Sequence, residues 1–127
     1  MATLQLNNKS IAFEHLPGSS PGILFCSGFR SDMTGNKARA LSEHCKIKGW
    51  ACTRFDYRGH GSSDTDFADC GIGDWIEDAL DVLDQLTNGP QIIVGSSMGL
   101  WITLQLVLHR PDPVSYTHLT LPTICSV

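Results

Sequence analysis

The fold is decided by the stretch Gln91-Ile92-Ile93-Val94-Gly95-Ser96-Ser97-Met98-Gly99-Leu100. The apolar run before its first glycine is typical of a strand buried on both faces, and an apolar helical pattern continues over Met98–His109. Between the two, the sequence fits G-x-S-x-G, in which a sharp turn holds the middle serine strained and exposed. A Cβ atom at Gly95 or Gly99 would crowd such a turn. The stretch therefore predicts that Ser97 is a nucleophile; an ordinary strand-to-helix turn of small residues is the alternative.

Strand and helix patterns alternate before this turn. The predicted elements are a hairpin over Thr3–His15 turning at Asn7-Asn8, a loop over 17–22, a buried strand Ile23–Cys26, a helix Asn36–Lys48 capped by Gly49, a strand Ala51–Phe55, a loop over 56–71, and a helix with Trp75, Ala79, Val82, Leu83 and Leu86 on one face. This order predicts an α/β fold, in which a hairpin precedes parallel strands and helices cover both faces. Ligands bind at the carboxyl ends of such strands.

Composition narrows the class of protein. The chain has 127 residues, of which 42% are hydrophobic and 17% charged, so it is long enough for one core and unlike a disordered chain. The net charge of −4 argues against a nucleic-acid partner. The apolar stretch Leu100–Leu108 is too short for a membrane span, and the N-terminus lacks the pattern of a signal peptide.

The cysteines indicate the compartment. There are five, widely spaced and without a C-x-x-C pair, which predicts small core residues in a reducing, cytoplasmic location and argues against structural zinc.

A second segment fits acyl-transfer chemistry. The strand Ile23–Cys26 runs into Ser27-Gly28-Phe29. An oxyanion hole of this type takes one N–H from the residue after the nucleophile and one from a loop after an earlier strand. We therefore expect the backbone N–H groups of Met98 and Phe29 to serve; the Phe29 side chain would also cap the core, and the two roles are compatible.

Many carboxylates lie between Asp56 and Asp84. We expect those of the second helix to lie on its solvent-facing side without converging on a metal ion. They are Asp74, Glu77, Asp78, Asp81 and Asp84.

Three motifs together resemble the α/β-hydrolases. They are Ser27-Gly28-Phe29, then Phe55-Asp56-Tyr57-Arg58-Gly59-His60-Gly61-Ser62-Ser63, then Val94-Gly95-Ser96-Ser97-Met98-Gly99. The middle one resembles the family's D-x-R-G-x-G-x-S loop, which is mainly structural, and the resemblance runs from Thr3 to Asp112. It is strongest to the branch of mitochondrial palmitoyl-protein thioesterases, also described as acyl-glucuronide esterases. That likeness lies in Gly28-Phe29-x-Ser31-x-Met33-x-Gly35-x-Lys37-Ala38 and in Gly89-Pro90-Gln91-Ile92-x-Val94-Gly95-Ser96-Ser97.

The resemblance implies hydrolysis of a small-molecule carboxylic ester or acyl thioester. Ser97 would form an acyl-enzyme, the N–H groups of Met98 and Phe29 would hold the oxyanion, and neither cofactor nor metal is implied. Two alternatives stay open: a non-catalytic binding or interaction domain, and a haloperoxidase-like member that shares the same turn.

The family's triad follows the chain order serine, acid, histidine. After Ser97 the candidates are Asp112, His109 and His118, and we expect none of them to complete the triad. We assign none of the earlier histidines as base, because surface or loop positions are expected for them; they are His15, His44 and His60. We therefore expect residues 1–112 to be part of an α/β-hydrolase domain whose acid and histidine lie outside this chain, which would be inactive alone.

The last residues have a different character. Val114–Thr123 resembles the in-frame translation of a transposase adapter used in sequencing libraries, so we expect 113–127 to be a non-native tail. A genuine strand is the alternative, but Pro122 lies within it.

Overall fold

The computed structural model describes residues 2–6 and 9–110, which form one mixed sheet with helices on both faces. The strands are β1 (Ala2–Leu6), β2 (Lys9–Leu16), β3 (Ser19–Cys26), β4 (Trp50–Phe55) and β5 (Gln91–Gly95). The helices are α1 (Asn36–Lys48), α2 (Ile72–Leu86) and α3 (Met98–His109), with a short 3₁₀ turn at Phe67–Asp69. The strand order is β1-β2-β4-β3-β5. The predicted α/β class and element order are confirmed.

The sheet combines an antiparallel entry with a parallel centre. Strands β1, β2 and β4 pair antiparallel, and β3 lies parallel between β4 and β5. The antiparallel pairing of β1 with β2 agrees with the predicted hairpin, and the turn predicted at Asn7-Asn8 lies outside the described residues. The predicted loop over 17–22 is wrong from Ser19 onward, where β3 begins. Ser19 already pairs with Trp50, and its N–H donates to the Gly49 carbonyl at 2.8 Å, because β4 offers partners that turn-forming residue types alone do not reveal.

Neighbouring residues of β3 divide the core between the two faces of the sheet. Ile23 packs with Cys45 of α1 and Cys52 of β4, whereas Leu24 packs into the larger cluster with α2 and α3. This alternation follows from the period of two along a strand. The expectation that the cysteines are core residues is met at Cys26, Cys45 and Cys52, and burial raises the pKa of Cys52 to about 12. Cys70 is only half-buried, and Cys125 lies outside the described residues.

Helix α1 has the predicted bounds. Gly49 follows it with φ at 76°, and the Gly49 N–H donates to the Cys45 carbonyl. A residue in this left-handed conformation ends many helices, and glycine adopts it without a Cβ penalty.

The expectation for the acidic residues of α2 is wrong at Asp78. Its side chain is fully buried, because two cations reach it from other elements: Lys9 Nζ lies 2.6 Å away and Arg58 Nε lies 2.8 Å away. Burial alone would lower the pKa of Lys9, but hydrogen bonds and charge from Asp78 and Asp81 outweigh it and raise that pKa. The cluster ties β2 and the loop after β4 to α2.

Among the described residues, no helix combines the length and apolar character needed to cross a bilayer.

Candidate active site

Ser97 occupies the turn between β5 and α3, and its backbone is strained. Its φ is 58° and its ψ is −117°, a conformation that non-glycine residues rarely adopt. The residue is exposed, whereas its neighbours Gly95, Ser96 and Gly99 are buried. The turn thus has the geometry expected from the sequence, in which an exposed serine lies between buried neighbours.

The two flanking glycines are required by contact with backbone atoms. A Cβ atom at Gly95 would lie 2.4 Å from the carbonyl oxygen of Gly99. One at Gly99 would lie 2.0 Å from the carbonyl oxygen of Cys26, at the end of β3. Helix α3 therefore starts in direct contact with β3, as the crowding argument predicts.

The loop after β3 lies against Ser97. The Ser96 N–H donates to the Cys26 carbonyl at 3.1 Å, and a Cβ atom at Gly28 would lie 3.2 Å from the Cβ of Ser97. Phe29, the second expected oxyanion donor, follows Gly28 directly. The first expected donor, the Met98 N–H, belongs to the first turn of α3, where N–H groups have no partner within the helix. The assignment of these two N–H groups to an oxyanion stays a prediction.

The Phe29 side chain is 53% exposed, so it caps the core only in part. Its ring packs edge-on against Phe67 at 5.3 Å and Trp75 at 5.9 Å between centroids. Two residues before Phe29, the Ser27 carbonyl accepts a hydrogen bond from the buried Tyr57 hydroxyl at 2.9 Å. Buried aromatic residues thus hold the loop after β3 in place.

The loop after β4 agrees with the structural role that the resemblance implies. The buried Asp56 carboxylate accepts the N–H groups of Met33 at 2.8 Å and Ser62 at 2.9 Å. Burial raises the pKa of Asp56, and these hydrogen bonds oppose the rise. Gly61, at φ 49°, leaves no room for a Cβ atom, which would lie 2.2 Å from Asp56 Oδ2. The motif fixes the loop around one buried carboxylate.

His60 lies in this loop, as expected, but it is not a surface residue. It is 4% exposed, and its Nε2 accepts the Arg30 N–H at 3.1 Å. Its burial was missed because a glycine-rich, polar loop gives no periodicity from which an inward residue can be recognised. Its place inside the D-x-R-G-x-G-x-S motif was the available signal.

The other described histidines have partners away from Ser97. His15 Nδ1 lies 2.8 Å from Thr53 Oγ1, His44 packs against the Trp50 ring, and His109 Nδ1 lies 2.7 Å from the Gln105 carbonyl. That none of them serves as the base stays a prediction. Asp112, His118 and the predicted tail over 113–127 lie outside the described residues.

A pocket of about 250 Å³ adjoins the turn, lined in part by Ser27, Gly28, Lys37 and Ser96. Lys37 Nζ donates to Ser96 Oγ at 3.3 Å, and Ser27 Oγ is buried without a hydrogen-bond partner. Ser96 belongs to the lining and Ser97 does not. Sequence reasoning did not single out this pocket.

Three carboxylates do converge on α2, contrary to expectation. Glu77, Asp78 and Asp81 bring ligand oxygens within 4.8 Å of one another. Lys9 Nζ lies 2.6 Å from both Asp78 and Asp81, so an ammonium group already supplies the positive charge. The cluster is an ion-pair network, and its residues do not fit a metal ion.

A strained, exposed serine between strand β5 and helix α3, beside the loop that follows the neighbouring strand β3, is the arrangement that α/β hydrolases use. The alpha/beta hydrolase fold family matches residues 21–123, and the chain belongs to this family.

Individual members of this family are similar to the chain over most of its length. The chain is 49% identical over 105 residues to the palmitoyl-protein thioesterase ABHD10, mitochondrial, of Rattus norvegicus, covering 83% of this chain and 35% of that protein. The structure of alpha/beta hydrolase domain-containing protein 10 from mouse superimposes with a TM-score of 0.87 at 44% identity, covering 88% of this chain and 45% of that one. A putative hydrolase from Agrobacterium vitis S4 gives 0.81 at 35% identity, covering 94% and 49%. The chain spans about a third of the length of the curated relatives it matches.

The expectation of a cytoplasmic location is contradicted by these relatives, because the thioesterases from five mammals are named as mitochondrial. The cysteine pattern indicates a reducing environment, but it does not distinguish one reducing compartment from another.

Proposed function

We propose that the protein of which this chain is part is a serine hydrolase that cleaves carboxylic esters or acyl thioesters through an acyl-enzyme at Ser97. The observation that carries the proposal is the exposed Ser97 at φ 58°, held between β5 and α3. The thioesterase names of its relatives support the reaction class.

The proposed chemistry uses the backbone of two segments. Ser97 Oγ attacks the acyl carbonyl carbon, and the N–H groups of Met98 and Phe29 hold the negative oxygen. Collapse of this intermediate expels an alcohol or a thiol and leaves an ester on Ser97. Water then releases the carboxylic acid and restores the hydroxyl. We propose that the histidine base and its acid lie outside residues 1–112, and that no cofactor is required.

For the chain of residues 1–127 itself we propose negligible turnover. Loss of a triad histidine costs on the order of 10⁶ in kcat in a well-studied serine protease. A p-nitrophenyl ester assay on this chain that gave Ser97-dependent turnover at ordinary enzyme rates would contradict the proposal.

The proposal for a non-native tail over 113–127 is tested at the level of the gene. Genomic DNA amplified from the source organism should encode a different continuation; if it encodes this tail, the proposal is wrong.

The proposed activity is tested with a fluorophosphonate probe and with a matched ester and thioester of one acyl chain. The full-length gene product is compared with Ser97→Ala and with Ser42→Ala, which removes a serine hydroxyl from α1. We expect labelling and hydrolysis to disappear in Ser97→Ala only. A folded full-length protein that is not labelled would refute the proposal and favour a non-catalytic binding domain.

A further inference from the structure

The loop of residues 27–31 needs support to present a backbone N–H group at a fixed point. Arg30 is held at φ 59°, a left-handed conformation that is uncommon for residues with a Cβ atom. Within the loop, the Ser31 N–H donates to the Gly28 carbonyl at 3.1 Å. The Arg30 N–H points out of the loop to His60 Nε2 at 3.1 Å. This bond ties the peptide next to Phe29 to another segment.

The partners of His60 define one form of its ring. Nδ1 lies 3.1 Å from the Arg58 carbonyl oxygen, which can only accept a hydrogen bond, so Nδ1 carries the proton. Nε2 faces the Arg30 N–H, which can only donate, so Nε2 carries none. Both contacts are satisfied together only by the neutral ring protonated at Nδ1.

His60 is itself held by rigid surroundings. Its ring packs edge-on against Tyr57 at 5.5 Å, Phe67 at 5.3 Å and Trp75 at 5.0 Å between centroids. The Arg58 carbonyl oxygen that accepts the hydrogen bond of His60 Nδ1–H also accepts one from Trp75 Nε1–H at 2.9 Å, so it is anchored to α2. The loop that adjoins Ser97 is therefore connected to α2 through one imidazole ring.

We propose that His60 is a positioning residue for hydrolysis: by accepting the Arg30 N–H, it fixes the loop so that the preceding N–H, that of Phe29, meets the transition-state oxyanion. The inference rests on the proposed function, and it adds a residue that takes no part in proton transfer with the substrate.

The test compares His60→Gln with His60→Asn in the full-length protein. A glutamine side chain places its amide at the depth of Nε2 and can accept the Arg30 N–H. Asparagine reaches only the depth of Nδ1, so it can bond the Arg58 carbonyl but not Arg30. We expect His60→Asn to lower kcat about 10- to 100-fold, as for a misplaced group next to the chemistry. KM should change little, because an oxyanion contact acts in the transition state. His60→Gln should restore most of kcat, although both variants lose the aromatic packing.

Retention of kcat by His60→Asn, or equal losses of kcat in both variants, would overturn the inference. Ser97→Ala separates this result from the proposed function: if Ser97→Ala keeps its activity, the proposed function fails, whereas if it is inactive and His60→Asn is not, only the role of His60 fails. Long-range ¹H–¹⁵N spectra of the wild-type protein decide the matter if neither variant folds. A proton on Nδ1 supports the inference, and a proton on Nε2 overturns it.

Discussion

The close contact between α3 and β3 can be tested by adding one methyl group. Gly99 is the second residue of α3, and Gly73 is the second residue of α2, so Gly99→Ala and Gly73→Ala make the same change at the same helical position. A Cβ atom at Gly73 meets nothing within 4 Å. A Cβ atom at Gly99 would lie 2.0 Å from Cys26 O and 2.8 Å from Ser27 O.

The expected effects have opposite signs. Alanine is favoured over glycine in a helix by up to about 1 kcal/mol, so Gly73→Ala should be neutral or stabilising. At Gly99 the obstructing atoms belong to the backbone and cannot rotate away, so α3 must shift outward. Such overpacking typically costs 1–3 kcal/mol, and we expect about 3 kcal/mol here.

Urea unfolding of the two variants, followed by circular dichroism, measures the difference. The two variants should differ by about 3–4 kcal/mol, so with a urea dependence of about 1–1.5 kcal/mol per M for a chain of this size their midpoints should differ by about 2–4 M. If Gly99→Ala unfolds at the same urea concentration as Gly73→Ala, α3 does not start against β3.

Three further results are expected. Lys9→Met should lower the free energy of unfolding by about 3 kcal/mol, because Asp78 stays buried with one cation fewer, whereas the exposed Lys46→Met should change it by less than about 0.5 kcal/mol; chemical denaturation measures both, and equal effects would contradict the role of the cluster. The pKa of Lys9 is raised in the folded state, so the stability that charged Lys9 contributes is complete below the unfolded pKa of 10.5 and is lost as the pH rises through the folded pKa. Unfolding curves of the wild type at alkaline pH should show this loss of stability, and those of Lys9→Met should not. Gly61→Ala should lower the thermal midpoint, because its Cβ atom meets Asp56 and its φ is 49°; an unchanged midpoint in a calorimetric scan would refute that contact.

Much of the framework could be predicted from the sequence, because local chemistry decides it. Helix α1 has the predicted bounds since its apolar spacing ends at Gly49, which takes up the left-handed conformation. The turn at Ser97 has the predicted form since both flanking glycines lie against backbone atoms.

What could not be predicted depends on partners that are distant in the sequence. Asp78 follows Trp75 by three positions and precedes Val82 by four, which places it on the buried side of α2. A carboxylate can be buried there because Lys9 and Arg58 form ion pairs with it. His60 is buried because a loop with no periodicity folds over Trp75. The neutral form of its ring depends on Arg30, thirty positions earlier.

The ion-pair cluster of Lys9, Arg58 and Asp78 also implies an order of folding steps during synthesis. Lys9 and Asp78 are separated by 69 positions, and β2 pairs with β4, which is also synthesised later. Residues 2–16 are therefore synthesised before either partner. The N-terminal hairpin must wait, with its ammonium group in water and one edge unpaired, until α2 has emerged. Its docking is then a late step of co-translational folding, since contacts between distant positions close slowly.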